Sequence, residues 1–178
     1  MAWQCGSQSG LLGEKTQADT LTWTPPLALA AQQPQDTKVE VTFTCITYAG
    51  EETVGTSTLT LALDIPGTVT PEVSLRVTDA LGYTASHGGY IQGQSRCQVT
   101  TQAAGKYGAS IREIAVTCGG LSGTGEQVCF ALAHSGPVDI AVTVTDSRGR
   151  TAAARERIQV LPYAAPTAQI TAAYRCTA

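Results

Sequence analysis

Apolar and polar residues alternate with period two through most of the chain, which places successive side chains on opposite faces of an extended strand. From Lys38 onward, Val39, Val41, Phe43 and Cys45 share one face while Lys38, Glu40, Thr42 and Thr44 share the other. This predicts a half-buried strand. After Ala49-Gly50, Leu59, Leu61, Leu63 and Ile65 alternate with Thr58, Thr60, Ala62 and Asp64, so the two stretches read as a hairpin. The construction returns where Val138, Ile140, Val142 and Val144 alternate with Asp139, Ala141, Thr143 and Thr145 ahead of the turn Asp146-Ser147-Arg148-Gly149. Its return strand is expected through 151–161, with Ile158 and Val160 inward and Arg155, Arg157 and Gln159 outward.

Each hairpin ends at proline, and the prolines recur at a near-constant offset: Pro66 and Pro162 stand 96 residues apart, Pro71 and Pro166 stand 95 apart. A period of that length suits one β-sandwich module and is far too long for a solenoid repeat. The chain is therefore expected to hold an N-terminally incomplete module over 1–66, a complete module over 67–161, and over 162–178 a linker with the first strand of a further module, at 168–172. Both ends read as cut from a longer protein. Inside the second module, strands are expected near 72–79, 95–102, 110–118, 127–133, 138–145 and 151–161. Helical periodicity is nowhere sustained, although Leu27 to Ala31 fits one helical turn between Pro26 and Pro34. The expected fold class is all-β, as tandem antiparallel β-sandwich modules.

Composition agrees with short strands and tight turns: 14% of the 178 residues are charged, and 18 glycines and 8 prolines are spread along the chain. A formal charge of -3 supplies no basic face for a nucleic-acid partner. No apolar run approaches the roughly 18 residues that would read as a membrane span, so membrane insertion is not expected. Asn is absent, hence so is any N-glycosylation acceptor.

Candidate chemistry is sparse. His87 and His134 sit among small residues without a neighbouring carboxylate, and no nucleophile, base and orienting group fall together in sequence. The chain is read as non-enzymatic and free of cofactor. None of the six cysteines forms a C-x-x-C pair, which argues against zinc. Asp64 and Asp146, near strand ends, read as turn caps rather than calcium ligands. Two features remain as candidates for ligand contact. One is the loop over 82–94, in which Tyr83, His87 and Tyr90 stand among glycines and serines, an adaptable mixture common in binding loops. The other is the basic strip Arg148, Arg150, Arg155 and Arg157, read as an outward face that protects an edge or meets an anionic glycan. Cys45, Cys97 and Cys118 fall on apolar faces.

Several segments carry a resemblance. Gln92-Gly93-Gln94-Ser95-Arg96-Cys97, Lys106-Tyr107-Gly108-Ala109-Ser110-Ile111 and Val142-Thr143-Val144-Thr145-Asp146-Ser147-Arg148-Gly149-Arg150 resemble the tandem immunoglobulin-like modules of minor structural and tail-fibre proteins from phages and prophages of Gram-positive bacteria. Thr20-Leu21-Thr22-Trp23-Thr24-Pro25-Pro26 and Thr53-Val54-Gly55-Thr56 are similar to the same group. The resemblance implies a virion location, a spacing or host-contact role, and as partners other tail subunits, copies of the same chain or a host cell-surface glycan. The order Cys5, Trp23, Cys45 is similar to the immunoglobulin pattern of a tryptophan packed on an inter-sheet disulfide, with Phe43 where a tyrosine corner would have Tyr. Cys5–Cys45 and Cys97–Cys118 are accordingly the two candidate bridges, against small buried thiols. By comparison with the second module the first is short by about 30 residues, which would leave it an open edge and an incomplete core. The alternative readings are a bacterial surface adhesin and a carbohydrate-binding module.

Overall fold

The computed structural model describes residues 1–18, 20–169, 171 and 172. Among these residues, the strands form three sheets, one from the first part of the chain and two from the second. β1 (Ala2–Cys5), β2 (Gln8–Leu11), β3 (Lys38–Ala49) and β4 (Glu52–Asp64) form a four-stranded antiparallel sheet in the order β2-β1-β3-β4. The β3–β4 hairpin pairs Val39 with Leu63, Val41 with Leu61 and Phe43 with Leu59, so the apolar sets of both strands lie on one face. That face is covered by connecting segments and not by a second sheet. A 3-10 helix at Leu27–Gln32, started by Pro25-Pro26, buries Leu29 and Ala30. Trp23 lies 5.1 Å from Trp3 and meets Phe43 edge-on at 5.4 Å, sealing a core of Cys5, Leu29, Val39, Val41 and Phe43.

The cover stops short of β4. Leu59 is 57% exposed and Leu61 44% exposed, whereas Val41, paired with Leu61, is fully buried. The half-burial expected from the leucine alternation is thus absent at these two positions, because nothing lies above them. Cys45 is likewise exposed, since β3 outruns its cover.

The second part is a two-layer sandwich. β5 (Glu72–Asp79), β7 (Arg96–Ala104) and β10 (Gln127–Ala131) form one sheet in the order β10-β7-β5. Facing it are β6 (Tyr90–Ile91), β8 (Ile111–Cys118), β9 (Leu121–Thr124), β11 (Gly136–Asp146) and β12 (Thr151–Leu161), in the order β6-β12-β11-β8-β9. Val99, Val116, Ile140, Val142, Val144 and Val160 interdigitate between the sheets and are 1% exposed or less. Fully burying each such side chain stabilises the fold by about 1.5–3 kcal/mol. The fold is all-β and immunoglobulin-like, as expected, and the six strands anticipated between residues 72 and 161 occur within two residues of their expected limits.

Some elements differ from expectation. β1 and β2 are too short, at four residues each, to show a readable alternation. A five-residue helix, α1 (Tyr83–His87), occupies part of the anticipated loop. Residues 168, 169, 171 and 172 form no strand, and position 170 of the strand expected at 168–172 lies outside the described residues, as does Cys176.

Candidate functional site

The inward row Ile140, Val142, Val144 ends in a carboxylate. Asp146 continues the same face after a register shift in the β8–β11 pairing and is 1% exposed. Its Oδ1 accepts hydrogen bonds of 2.9 Å from the backbone N–H of both Arg148 and Arg150. The Gly149 N–H donates to the Asp146 carbonyl at 3.0 Å, and the Asp146 N–H to the Arg150 carbonyl at 2.9 Å. Gly149 has φ 77°, a left-handed conformation that strains other L residues. The β11–β12 turn is therefore fixed by its own sequence.

What this turn presents is a set of cationic donors aimed at the first sheet unit. Arg148 donates from Nε to the Gln33 carbonyl at 3.1 Å and from Nη2 to the Ala30 carbonyl at 2.7 Å. From its own unit it takes Lys106 O, on Nη1 at 2.8 Å, and Tyr107 O, on Nη2 at 2.7 Å. Tyr107 and Gly108 both have positive φ (48° and 75°), which bends the 105–110 loop towards Arg148. Ser147 Oγ donates to Pro34 O at 2.6 Å. Arg150 donates through Nη1 to the carbonyls of Pro66 and Val69 and through Nη2 to that of Ile65. Beside these bonds Ala30, Ile65 and Val69 form a small buried cluster. Burial pushes the Arg148 guanidinium below its ordinary pKa, and the Asp146 carboxylate opposes that fall.

This geometry corrects the expectation of an outward basic strip for Arg148 and Arg150: Arg148 is 7% exposed, Arg150 is half-buried, and both guanidinium groups donate to main-chain carbonyls. Only Arg155 and Arg157 face outward, with Arg157 paired to Asp139 at 2.7 Å. The assembly is a joint. What it does chemically is saturate main-chain carbonyls of the 3-10 helix, of the residues just after it and of the loops around 65–69 and 106–107.

The other candidate region is organised by Asp79, at the end of β5. Its carboxylate accepts from Leu81 N (3.1 Å), Arg96 N (3.1 Å), Thr84 N (3.3 Å) and Ser95 Oγ (2.9 Å). Burial alone would raise this carboxyl, but the four hydrogen bonds outweigh it and hold the pKa below the ordinary carboxylate value. The loop it ties down brings Tyr83 and His87 to 6.0 Å between ring centres, with His87 Nδ1 2.7 Å from Ser86 Oγ. Tyr90 does not join them. It packs against the sandwich core, where burial pushes its phenol up to about 12.

The candidate bridges separate. Cys5 follows the Gln4–Thr42 pairing and so stands beside Val41, four residues along β3 from Cys45; at about 3.3 Å per residue this is well beyond bridging distance. Both are free thiols. Cys97 and Cys118 are free thiols in one buried cluster, and a hydrogen bond between them, then burial, pushes the Cys97 thiol up. Among the described residues, no three His, Cys, Asp or Glu side chains converge as a metal site, and no helix is long and apolar enough to cross a membrane.

Among solved structures, the chain is similar to the PKD1 domain of Vibrio anguillarum Epp, at 17% identity and TM-score 0.40, covering 51% of this chain and 93% of that one. The PKD1 domain from Vibrio cholerae metalloprotease PrtV matches at 15% identity and TM-score 0.41, covering 52% and 98%. The Clostridium thermocellum CbhA fibronectin(III)-like modules match at 14% and 0.44, covering 70% and 63%. No curated protein matches. Residues 1–177 match the family described as "Siphovirus protein of unknown function (DUF859)", and the chain belongs to that family.

Proposed function

We propose that this chain is a non-enzymatic structural piece of a siphovirus tail or tail fibre, a stiff two-unit spacer that helps present a host-receptor-binding part to a Gram-positive cell. The observation that carries this reading is the joint: two cationic side chains and a serine on a rigid turn donate to carbonyls of the preceding unit. A linker alone would leave the two units free to swivel, whereas six donor contacts from the turn to residues 30–69 hold one arrangement. Membership of a siphovirus family supports a place in the virion, with other tail subunits as partners. Small-angle scattering tests the stiffness. The wild-type chain is expected to give one narrow distance distribution and an Arg148→Ala/Arg150→Ala variant a broader one with a larger radius of gyration. Superposable curves would remove the spacer reading. Antibody labelling of intact virions is expected to mark the tail.

A second reading, contact with a host surface glycan, is favoured by the loop that Asp79 holds in place with Tyr83 beside His87. Saturable binding to purified host cell-wall polysaccharide, lost on Tyr83→Ala/His87→Ala, is the expected result; no binding by the wild type ends that reading.

A further inference from the structure

The three sheets expose six edges among the described residues, and five of them are short or carry charges. β2 and β9 have four residues, β10 five and β6 two, while the eight-residue β5 carries Glu72, Arg76 and Asp79. β4 is the exception. It runs for 13 residues with no charged residue between Glu52 and Asp64 and no proline, and its one pairing irregularity falls at Val54, so the stretch over 56–63 has none of the devices that keep an edge strand from pairing. Leu59 and Leu61 on its core side are 57% and 44% exposed. Beside them, a cavity of about 270 Å³ runs in under Leu63, Val39, Pro25, Pro26 and Leu29.

We propose that β4 pairs antiparallel with β4 of a second copy of this chain across a two-fold axis at Leu61, joining the two four-stranded sheets into one. The sequence of the strand supports a copy of itself as the occupant. With Leu61 opposite Leu61 of the second copy, Leu59 stands opposite Leu63 and Leu63 opposite Leu59, so all three leucines find a leucine on the same face. On the other face Thr60 meets Ala62, and Thr58 meets Asp64. Nowhere in the pairing do like charges oppose, and Asp64 already has Lys38 at 3.9 Å on its own chain. Such a contact is isologous, so it closes at two copies and leaves no β4 edge to propagate. The proposal rests on the edge alone, and its failure leaves the spacer reading standing.

Sedimentation equilibrium of the full chain tests it. Wild type is expected to reach twice the monomer mass at micromolar to tens of micromolar concentration. Leu61→Lys, which sets two ammonium groups face to face on the axis at a position the monomer does not bury, is expected to weaken dimerisation at least tenfold. The near-ultraviolet signal of Trp3 and Trp23 should be unchanged, which reports that the first unit still folds. In a Cys45→Ser/Cys129→Ser background, Leu61→Cys should oxidise to a covalent dimer and Val54→Cys should not. A wild type that stays monomeric to hundreds of micromolar overturns the proposal, as does a dimer that Leu61→Lys leaves intact or a cross-link forming equally well from position 54.

Discussion

Leu61 lies on β4, the return strand of the first long hairpin, and Val160 on β12, the return strand of the second; both point to the apolar side of their sheet. Leu61 is 44% exposed and Val160 fully buried. The two hairpins share the same alternation, so the difference comes from what faces them. The β10-β7-β5 sheet closes over β11 and β12, whereas coil and a 3-10 helix cover β3 and stop before β4. Alternation chooses a face; only a second layer buries it.

That contrast is open to direct attack. The largest effect is expected from Ile140→Ala, which opens a cavity in the closed sandwich and should cost about 3 kcal/mol in urea denaturation. Leu59→Ala in dilute solution should cost less than about 0.5 kcal/mol, as for other exposed positions. Equal losses would mean the first unit is as well closed as the second. Next comes Arg148→Ala. It leaves the Ala30, Gln33, Lys106 and Tyr107 carbonyls without this donor, at a cost of about 2 kcal/mol. Calorimetry should then show the first unit melting ahead of the sandwich; a single unshifted transition would show that the joint does not couple them.

A smaller effect than that of Arg148→Ala is expected from Asp79→Asn, inside the second unit. The folded carboxyl titrates below its unfolded value, so the unfolded chain takes up the proton first as pH falls. Its stabilisation is complete above the unfolded value of about 4 and disappears as pH drops through the folded one. The melting temperatures of wild type and variant should therefore differ near neutral pH and converge in acid. A gap that stays constant between neutral pH and about pH 3 would deny the carboxylate this role.

The long hairpins were legible because β3, β4, β11 and β12 each run for 11 residues or more, long enough for period two to stand out. β1, β2 and α1 were not, since four or five residues show no period. The apolar set of β4 was visible, but its exposure was not, because exposure depends on a layer that the strand's own residues do not encode. The joint was the least readable part. Arg148 and Arg150 beside a hairpin turn look like solvent-facing charge, and their partners are carbonyls up to 118 positions away, which every residue type carries. One signal was present: Asp146 two and four residues before the arginines, with Gly149 between them, marks a turn whose tip is held rigid.

Because Arg148, Ser147 and Arg150 grip peptide oxygens, the preceding unit is recognised by the course of its main chain at residues 30, 33, 34, 65, 66 and 69. The side chains of Gln33, Pro34 and Pro66 take no part in these bonds, whereas Ala30, Ile65 and Val69 are held by the small buried cluster beside them. Such a joint reads the path of the main chain on its acceptor side, so a different β unit with the same terminal backbone path would offer the same turn the same acceptors.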